Sequence, residues 1–335
     1  MRRAGHVWLS IAVAGLWALT GCAPVVLQPA SAVPSAPQWY DTEFVVRDGS
    51  ALPYTSWLPP EDAPPHAVIV AVHGFNDYRR AFELPGSYLA AQGAAVFAYD
   101  QRGFGAAPGR GLWPGKDLLV TDLVDVVSLV AARYPRVPVF MLGDSMGAGV
   151  VMLAAQRPEL AGRVRGIVLN APAVWGEQTF NPFYRAGLWV LAHTVPSWEV
   201  TSRGLKIRVS DNIDLLRSLS RDPLMLRGAR TDVLYGLVRL MDDAIGTAAA
   251  VPVPTLILYG LRDEVIPKDA VCRLLERAPA GTLHRFYPSG YHLLLRDLGA
   301  AEVWADLRQW LEGNVTQSTD AEAPCRSSTA LGRHG

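Results

Sequence analysis

The sequence predicts an α/β fold, a mostly parallel, doubly wound sheet with a helical cap inserted over its strand ends. Three observations predict it. Five apolar runs are too continuous to have one wet face, helical patterns alternate with them, and the alternation lapses over residues 173–250. Continuous runs suit central strands covered on both faces, and strand alternating with helix builds a parallel sheet. A chain of 335 residues, 50% of them hydrophobic, is long enough to bury such a core. Lys+Arg and Asp+Glu each number 31, so no net charge argues for nucleic acid or an acidic polymer as partner.

Taken in order, the chain opens on Met1-Arg2-Arg3 and an apolar run over residues 7–19. The run is too short for a comfortable membrane span and fits a secretory signal peptide over residues 1–21. It stops at Leu19-Thr20-Gly21-Cys22, which resembles the lipobox of bacterial lipoproteins. That resemblance implies cleavage before Cys22, lipidation of its thiol, and an exported protein anchored by lipid to the cell envelope. Ala23, where inner-membrane retention would favour aspartate, tilts the expectation toward the outer membrane of a Gram-negative cell. Residues 22–38, rich in Pro, Ala and Ser, read as a flexible linker. Cys272 and Cys325 remain, in a context that permits a disulfide, but their pairing is open at this stage.

The globular domain is expected over residues 39–312. Residues 43–46 and 52–57 flank Asp48-Gly49, a hairpin signal with a slightly long loop. The buried strands are the runs Ala67–Val72, Ala94–Tyr99, 139–142, 166–169 and 255–258, and a last strand covers Leu283–Tyr287. Residues 118–132 form a helical pattern that turns Leu119, Leu123, Val126, Val127 and Val130 toward the sheet. The stretch 173–250 is too long for a loop in a compact domain and reads as the cap. The stretch is rich in aromatics, Trp175, Phe180, Phe183, Tyr184, Trp189, Trp198 and Tyr235, and most of them are expected to pack the cap's own core. The polar tail 313–335 is expected to be disordered.

The chemistry centres on Gly143-Asp144-Ser145-Met146-Gly147, between the apolar run 138–142 and the small-residue helix start Ala148-Gly149-Val150. Strand, sharp Gly-x-Ser-x-Gly turn and helix are the context of a nucleophile elbow, which lifts the serine hydroxyl above the sheet edge. The pentapeptide alone is weak, because it fixes three positions; its partners decide. Acyl transfer by serine also needs a base, a group orienting that base, and donors for the oxyanion.

His292 follows the last strand, and Gly290 lets the chain turn back toward the site. Asp263 closes Gly260-Leu261-Arg262-Asp263 just after the strand 255–258. Ser145, Asp263 and His292 thus run in the order Ser…Asp…His. Of the rival histidines, His66 precedes a strand, His193 sits in the cap and His284 lies within a strand. Only His73 shares a loop at the correct sheet edge. Glu264 competes with Asp263, and Asp144 reads as a local hydrogen-bonding residue. The oxyanion donors are expected to be the backbone N–H groups of Met146 and Phe75.

From about residue 44 to 311 the chain resembles the monoacylglycerol lipase / lysophospholipase branch of the α/β-hydrolase superfamily, often labelled serine aminopeptidase S33. The matching stretches are His73-Gly74-Phe75, Tyr99-Asp100-Gln101-Arg102-Gly103-Phe104-Gly105, the Ser145 pentapeptide, Gly260-Leu261-Arg262-Asp263 and Gly290-Tyr291-His292. Ser220-Arg221-Asp222-Pro223-Leu224 in the cap also looks familial. Animal monoacylglycerol lipases carry Gly-Glu-His after the oxyanion residue, where this chain has Asn76-Asp77-Tyr78, so their glycerol contacts do not transfer.

The resemblance implies a serine hydrolase that cleaves carboxylic esters of lipid-like substrates, monoacylglycerol or lysophospholipid, through an acyl-enzyme. Acyl transfer to another acceptor, an S33-type aminopeptidase and a non-catalytic envelope protein are the alternatives. No cofactor or metal is expected. Gly103-Phe104-Gly105 has Pro108 at the third glycine position of a dinucleotide fingerprint, Gly115-Lys116-Asp117 lacks the P-loop's Ser/Thr, and no metal-ligand spacing occurs.

Overall fold

The computed structural model describes residues 23–60, 64–176, 181–201, 204, 207–314 and 325. The expected signal peptide, Cys22 and most of the C-terminal tail lie outside them. Among the described residues there are eleven strands in chain order: β1 (Gln38–Trp39), β2 (Glu43–Val45), β3 (Ala51–Trp57), β4 (Ala67–Val72), β5 (Ala94–Tyr99), β6 (Val139–Asp144), β7 (Val164–Asn170), β8 (Glu199–Thr201), β9 (Gly228–Arg230), β10 (Thr255–Gly260) and β11 (Leu283–Tyr287). Nine of them form one sheet in the order β1-β2-β3-β5-β4-β6-β7-β10-β11, and β8 pairs with β9 in the insertion.

From β5 to β11 every pairing is parallel, whereas β1, β2 and β3 join antiparallel at one edge, β3 pairing with β5. The β2–β3 hairpin turns at Gly49, which takes φ +84°, a conformation that costs glycine little.

The six flanking helices explain why the central strands are apolar throughout. These are α1 (Glu83–Ala91), α2 (Lys116–Arg133), α3 (Met146–Ala154), α6 (Thr231–Gly246), α7 (Lys268–Arg277) and α8 (Ala300–Leu311), with α4 (Pro182–Thr194) and α5 (Ile213–Arg221) in the insertion. Alternate β4 residues point to opposite faces. Val68, Val70 and Val72 join a core made with α2, α3, α6 and α7, while Ile69 and Ala71 join a second core with α1 and α8. Leu119, Leu123, Val126, Val127 and Val130 of α2 are buried, as their spacing predicts.

The segment 173–250 departs from a single cap. Its last third, α6, buries Val233, Leu240, Met241, Ala244 and Ile245 and belongs to the sheet-flanking layer. It lies so close to α3 that a Cβ on Gly149 would fall 2.7 Å from Leu240 Cδ2. The aromatics before it do not pack a cap core. In α4 only Ala192 is buried, and Phe183, Tyr184 and Trp189, with Trp198 beyond its end, are exposed.

Residues 23–38, read as a flexible linker, lie along the domain. Val25 N–H donates to Asp232 Oδ2 (3.1 Å), Leu27 N–H to Trp113 O (2.9 Å), Ala30 N–H to Asp48 Oδ2 (2.9 Å) and Ser35 N–H to Arg47 O (2.7 Å). At the other end, Cys325 is joined to Cys272 of α7 by a disulfide with Cα atoms 5.3 Å apart. That pairing was open from sequence, and it ties down one residue of the segment expected to be a disordered tail.

Candidate active site

Ser145 follows β6 and caps α3 with φ +51° and ψ −112°, a backbone strain that a turn this tight imposes. The flanking glycines are steric necessities. A Cβ on Gly143 would fall 2.4 Å from Ala148 Cα, and one on Gly147 would fall 2.0 Å from Val72 O. The turn is held by Ser145 N–H donating to Asn170 O (2.9 Å) and Ala173 N–H donating to Ser145 O (3.1 Å). Met146 is the first residue of α3, so its N–H is among the donors that a helix start leaves unpaired within the helix.

The structure brings Ser145, Asp263 and His292 together. His292 Nε2 lies 3.0 Å from Ser145 Oγ, and His292 Nδ1 lies 2.8 Å from Asp263 Oδ2. The other carboxylate oxygen, Asp263 Oδ1, accepts the N–H groups of Val265 (2.7 Å) and Ile266 (2.9 Å), which fixes its plane. Glu264 instead faces outward and accepts Arg208 N–H (2.7 Å). Burial alone would push the His292 imidazole below its ordinary value of 6.5. The Asp263 carboxylate and the more distant Asp144 outweigh burial and the opposing charge of Arg296, and hold it above.

His73, the rival at the same sheet edge, is committed to structure. Its Nε2 accepts Gln101 N–H (2.9 Å), so Nδ1 carries the proton and donates to Gly74 O (2.8 Å). Burial pushes the imidazole down, toward its neutral form. Gln101 Nε2 also donates to His73 O (2.7 Å), clamping the chain just ahead of Gly74 and Phe75. Phe75 and Met146 line the same cavity as Ser145 and His292. Asp144 is buried and accepts Asn170 Nδ2 (2.6 Å); burial raises its pKa against the pull of Arg296, His292 and that hydrogen bond.

Sequence reading missed four supporting residues. Arg296 is buried and bonded to Asp77, beside the oxyanion loop. Asp297 Oδ2 accepts Tyr291 N–H (2.7 Å), and its Oδ1 accepts the Ser210 hydroxyl (2.6 Å), which locks the His292 loop to the insertion. Asp77 and Arg296 are separated by 219 positions, so no local signal could pair them. The Asn76-Asp77-Tyr78 departure is also structural in part: Tyr78 Oη donates to Asp222 (2.5 Å), in the cap stretch that looked familial.

The cavity above Ser145 has a volume of about 780 Å³ and is walled largely by apolar side chains, Trp175, Ile207, Val209, Leu216, Leu237 and Met241 among them. Such pockets bury most of a bound ligand's surface against hydrophobic walls, with a few polar groups fixing its orientation. No group of three or more His, Cys, Asp or Glu among the described residues has metal-holding geometry.

A serine elbow at the carboxyl edge of a parallel sheet, with histidine and aspartate on the following loops, defines an α/β-hydrolase. Residues 63–299 match the serine aminopeptidase S33 family, and the chain belongs to it. It is 27% identical to the monoacylglycerol lipase of Mycolicibacterium smegmatis, with 80% of this chain and 95% of that one aligned. It is 28% identical to human monoglyceride lipase, over 84% and 93% of the two chains. Among solved structures, a soluble variant of monoglyceride lipase from Saccharomyces cerevisiae superposes with a TM-score of 0.69 at 20% identity, covering 88% of this chain and all of that one. The chain is a carboxylic ester hydrolase of the monoacylglycerol lipase branch.

Proposed function

We propose that the protein hydrolyses the ester of a monoacylglycerol or lysophospholipid through an acyl-enzyme on Ser145. The observation that carries this reading is the continuous relay Asp263–His292–Ser145 at the floor of an apolar cavity. Lipid ester hydrolysis is the chemistry of the branch to which the chain belongs.

Ser145 Oγ attacks the ester carbonyl carbon while His292 Nε2 takes its proton. His292 Nδ1–H donates to Asp263 Oδ2, which holds the tautomer and stabilises the imidazolium. The negative oxygen of the tetrahedral intermediate is received by the N–H groups of Phe75 and Met146, aided by the positive end of α3. The C–O bond breaks, the alcohol leaves with the proton from Nε2, and the acyl group stays on Ser145. Water, deprotonated by the same nitrogen, then releases the fatty acid and restores the serine.

An aminopeptidase on the same triad needs a free carboxylate for the substrate amine. Among the described residues lining the cavity the one acid is Asp77, which is already bonded to Arg296. Glu199 and Asp211 do not line it, and Glu177 lies outside the described residues. Export by the signal peptide over residues 1–21 and lipid anchoring through Cys22 complete the reading, supported by the lipobox-like Leu19-Thr20-Gly21-Cys22.

The test is turnover of a panel by the protein and by Ser145→Ala: short and long p-nitrophenyl esters, a monoacylglycerol, a lysophospholipid and a proline amide. Long-chain ester turnover that vanishes in the variant supports the reading. Turnover of the amide alone, or none above the variant, overturns it.

A further inference from the structure

One short segment of the insertion works in two directions. Ile207 and Val209 line the cavity above Ser145, whereas Arg208 and Ser210, which alternate with them, bond to the loops that carry the triad. Arg208 N–H donates to Glu264 Oε2 (2.7 Å), next to Asp263, and Arg208 Nη1 donates to Tyr291 Oη (3.2 Å), next to His292. The Ser210 hydroxyl donates to Asp297 Oδ1 (2.6 Å), and Asp297 Oδ2 accepts Tyr291 N–H (2.7 Å). On the other side of the base, Leu293 N–H donates to Val209 O (2.8 Å). The backbone N–H groups on both sides of His292 are thus held by Val209 itself or by the carboxylate that Ser210 fixes.

The same clamp reaches α5. Asn212 Nδ2 donates to Arg296 O (3.1 Å), while Asn212 Oδ1 caps the helix by accepting Leu215 N–H (3.1 Å). Leu298 N–H donates to Asp211 Oδ1 (2.9 Å), and Leu216 and Leu219 of α5 join the cavity wall. Ser210 and Asp297 are buried, so the bond between them is made out of water, where leaving either partner unpaired is costly. Ile207 differs from them. It lines the cavity yet is 45% exposed, so an acyl chain lying along it takes apolar surface out of water.

We infer that residues 207–212 couple the grip on the acyl chain to the placing of the base, with Ser210 and Asp297 as positioning residues for His292, so that chain length is read in kcat and not in KM. The inference rests on the reading that Ser145 takes up the acyl group of a lipid ester. A chain that reaches Ile207 and Val209 immobilises them, and the bonds from Val209 O and through Asp297 pass that order to the backbone on either side of His292. An acyl group that stops short of them leaves the segment, and the His292 loop with it, freer to move. Binding energy from a remote part of the substrate is then spent on orientation at the reacting centre, and a truncated substrate loses kcat. His292 is the base in acylation and in deacylation, and the chain stays in the cavity through both. The effect therefore appears in kcat whichever step is slower.

The experiment measures kcat and KM on p-nitrophenyl butyrate and p-nitrophenyl octanoate, both below micelle-forming concentrations, for the parent, Ser210→Ala and Ile207→Ala. In the parent the octanoate-to-butyrate ratio of kcat should be about tenfold. Ser210→Ala removes the hydroxyl that ties the segment to Asp297, and should bring that ratio toward one without a matching rise in the octanoate KM. Ile207→Ala, at an exposed position, should do the same from the substrate's side, and it decides the matter where Ser210→Ala does not fold. Loss of folded protein lowers kcat on both esters alike and cancels in the ratio. A Ser210→Ala ratio equal to the parent's therefore marks a merely structural hydroxyl and overturns the inference. A higher octanoate KM at unchanged kcat in Ile207→Ala marks a passive wall and overturns it too. Equal kcat on the two esters in the parent overturns the coupling and leaves ester hydrolysis on Ser145 standing, whereas a parent no more active than Ser145→Ala on either ester overturns both.

Discussion

Gln101 N–H donates to His73 Nε2 at 2.9 Å, and the Gln101 side-chain amide returns to His73 O at 2.7 Å. The two bonds join the ends of adjacent strands β4 and β5 just where the chain leaves the sheet toward Phe75. A donor aimed at an oxyanion works because it is already in place, with no reorganisation during the reaction. Gln101→Leu should leave the Gln101 N–H bond but free the His73 carbonyl, and should lower kcat with little change in KM. Losing an oxyanion donor outright costs about 10²–10³ in kcat, so loosening its support should cost less, on the order of tenfold. Steady-state kinetics on a soluble ester reads the split, and a rise in KM at unchanged kcat would contradict the role.

His292 gives the pH dependence. Its imidazole must be neutral to take the Ser145 proton, and the Asp263 carboxylate holds it above its ordinary value of 6.5 despite burial. The protonated form is therefore inactive, and kcat/KM should fall as pH drops through a midpoint above 6.5. Asp263→Asn removes the charge that raises the imidazole and the acceptor that sets its tautomer. The midpoint should move down, and kcat should drop by about 10⁴, as for other serine triads. A pH profile of both proteins checks the two effects together.

The triad was legible because each member is announced by local backbone demands. Gly143 and Gly147 stand where any Cβ would collide, Asp263 follows its strand by three residues, and Gly290 precedes the turn that returns His292 to the site. The central strands were legible for the same kind of reason, since burial on both faces leaves apolar runs such as Ala67–Val72 and Ala94–Tyr99. Arg296 with Asp77 was not legible, because a pair 219 positions apart is made by the fold alone. The contacts of residues 23–38 with the domain were not legible for a different reason. Val25 and Ala30 are held by backbone N–H groups donating to Asp232 and Asp48, and backbone donors leave no mark on a Pro/Ala/Ser composition. The α4 aromatics misled in the opposite direction: apolar residues in a helix were read as core, but Phe183, Tyr184 and Trp189 are exposed.

Arg102 should dominate the stability of the antiparallel edge. Its guanidinium is buried between Asp48 (2.5 Å) and Asp122 (2.6 Å), with Ser50 Oγ at 2.9 Å. Arg102→Met would leave two buried carboxylates without their cation, a loss of about 3–5 kcal/mol that should appear as a lower urea midpoint. Burial acts to raise the Asp48 pKa, but the Arg102 bond and the N–H groups of Ser50 and Ala30 outweigh it and bring it down to about 2. An acid whose folded pKa lies below its unfolded value contributes stability above the unfolded value, here 3.8, and loses it as pH falls through about 2. The acid-unfolding difference between parent and variant should therefore shrink across that window.

The Cys272–Cys325 disulfide should matter to stability and not to chemistry. It closes a loop of 53 positions, for which chain entropy gives about 4 kcal/mol of stabilisation in an oxidised chain. Cys272 sits in α7, whose Val271 and Leu274 are buried in the core beside the sheet, while Ser145 and His292 are held by bonds that do not pass through either cysteine. Reduction, or the Cys272→Ser/Cys325→Ser pair, should lower the thermal midpoint by several degrees and leave kcat on a soluble ester unchanged at a temperature where both forms are folded. Differential scanning calorimetry with and without reductant, beside that rate, tests the separation. A fall in kcat without a fall in the midpoint would instead tie the bridge to the positioning of Asp263 on the loop ahead of α7.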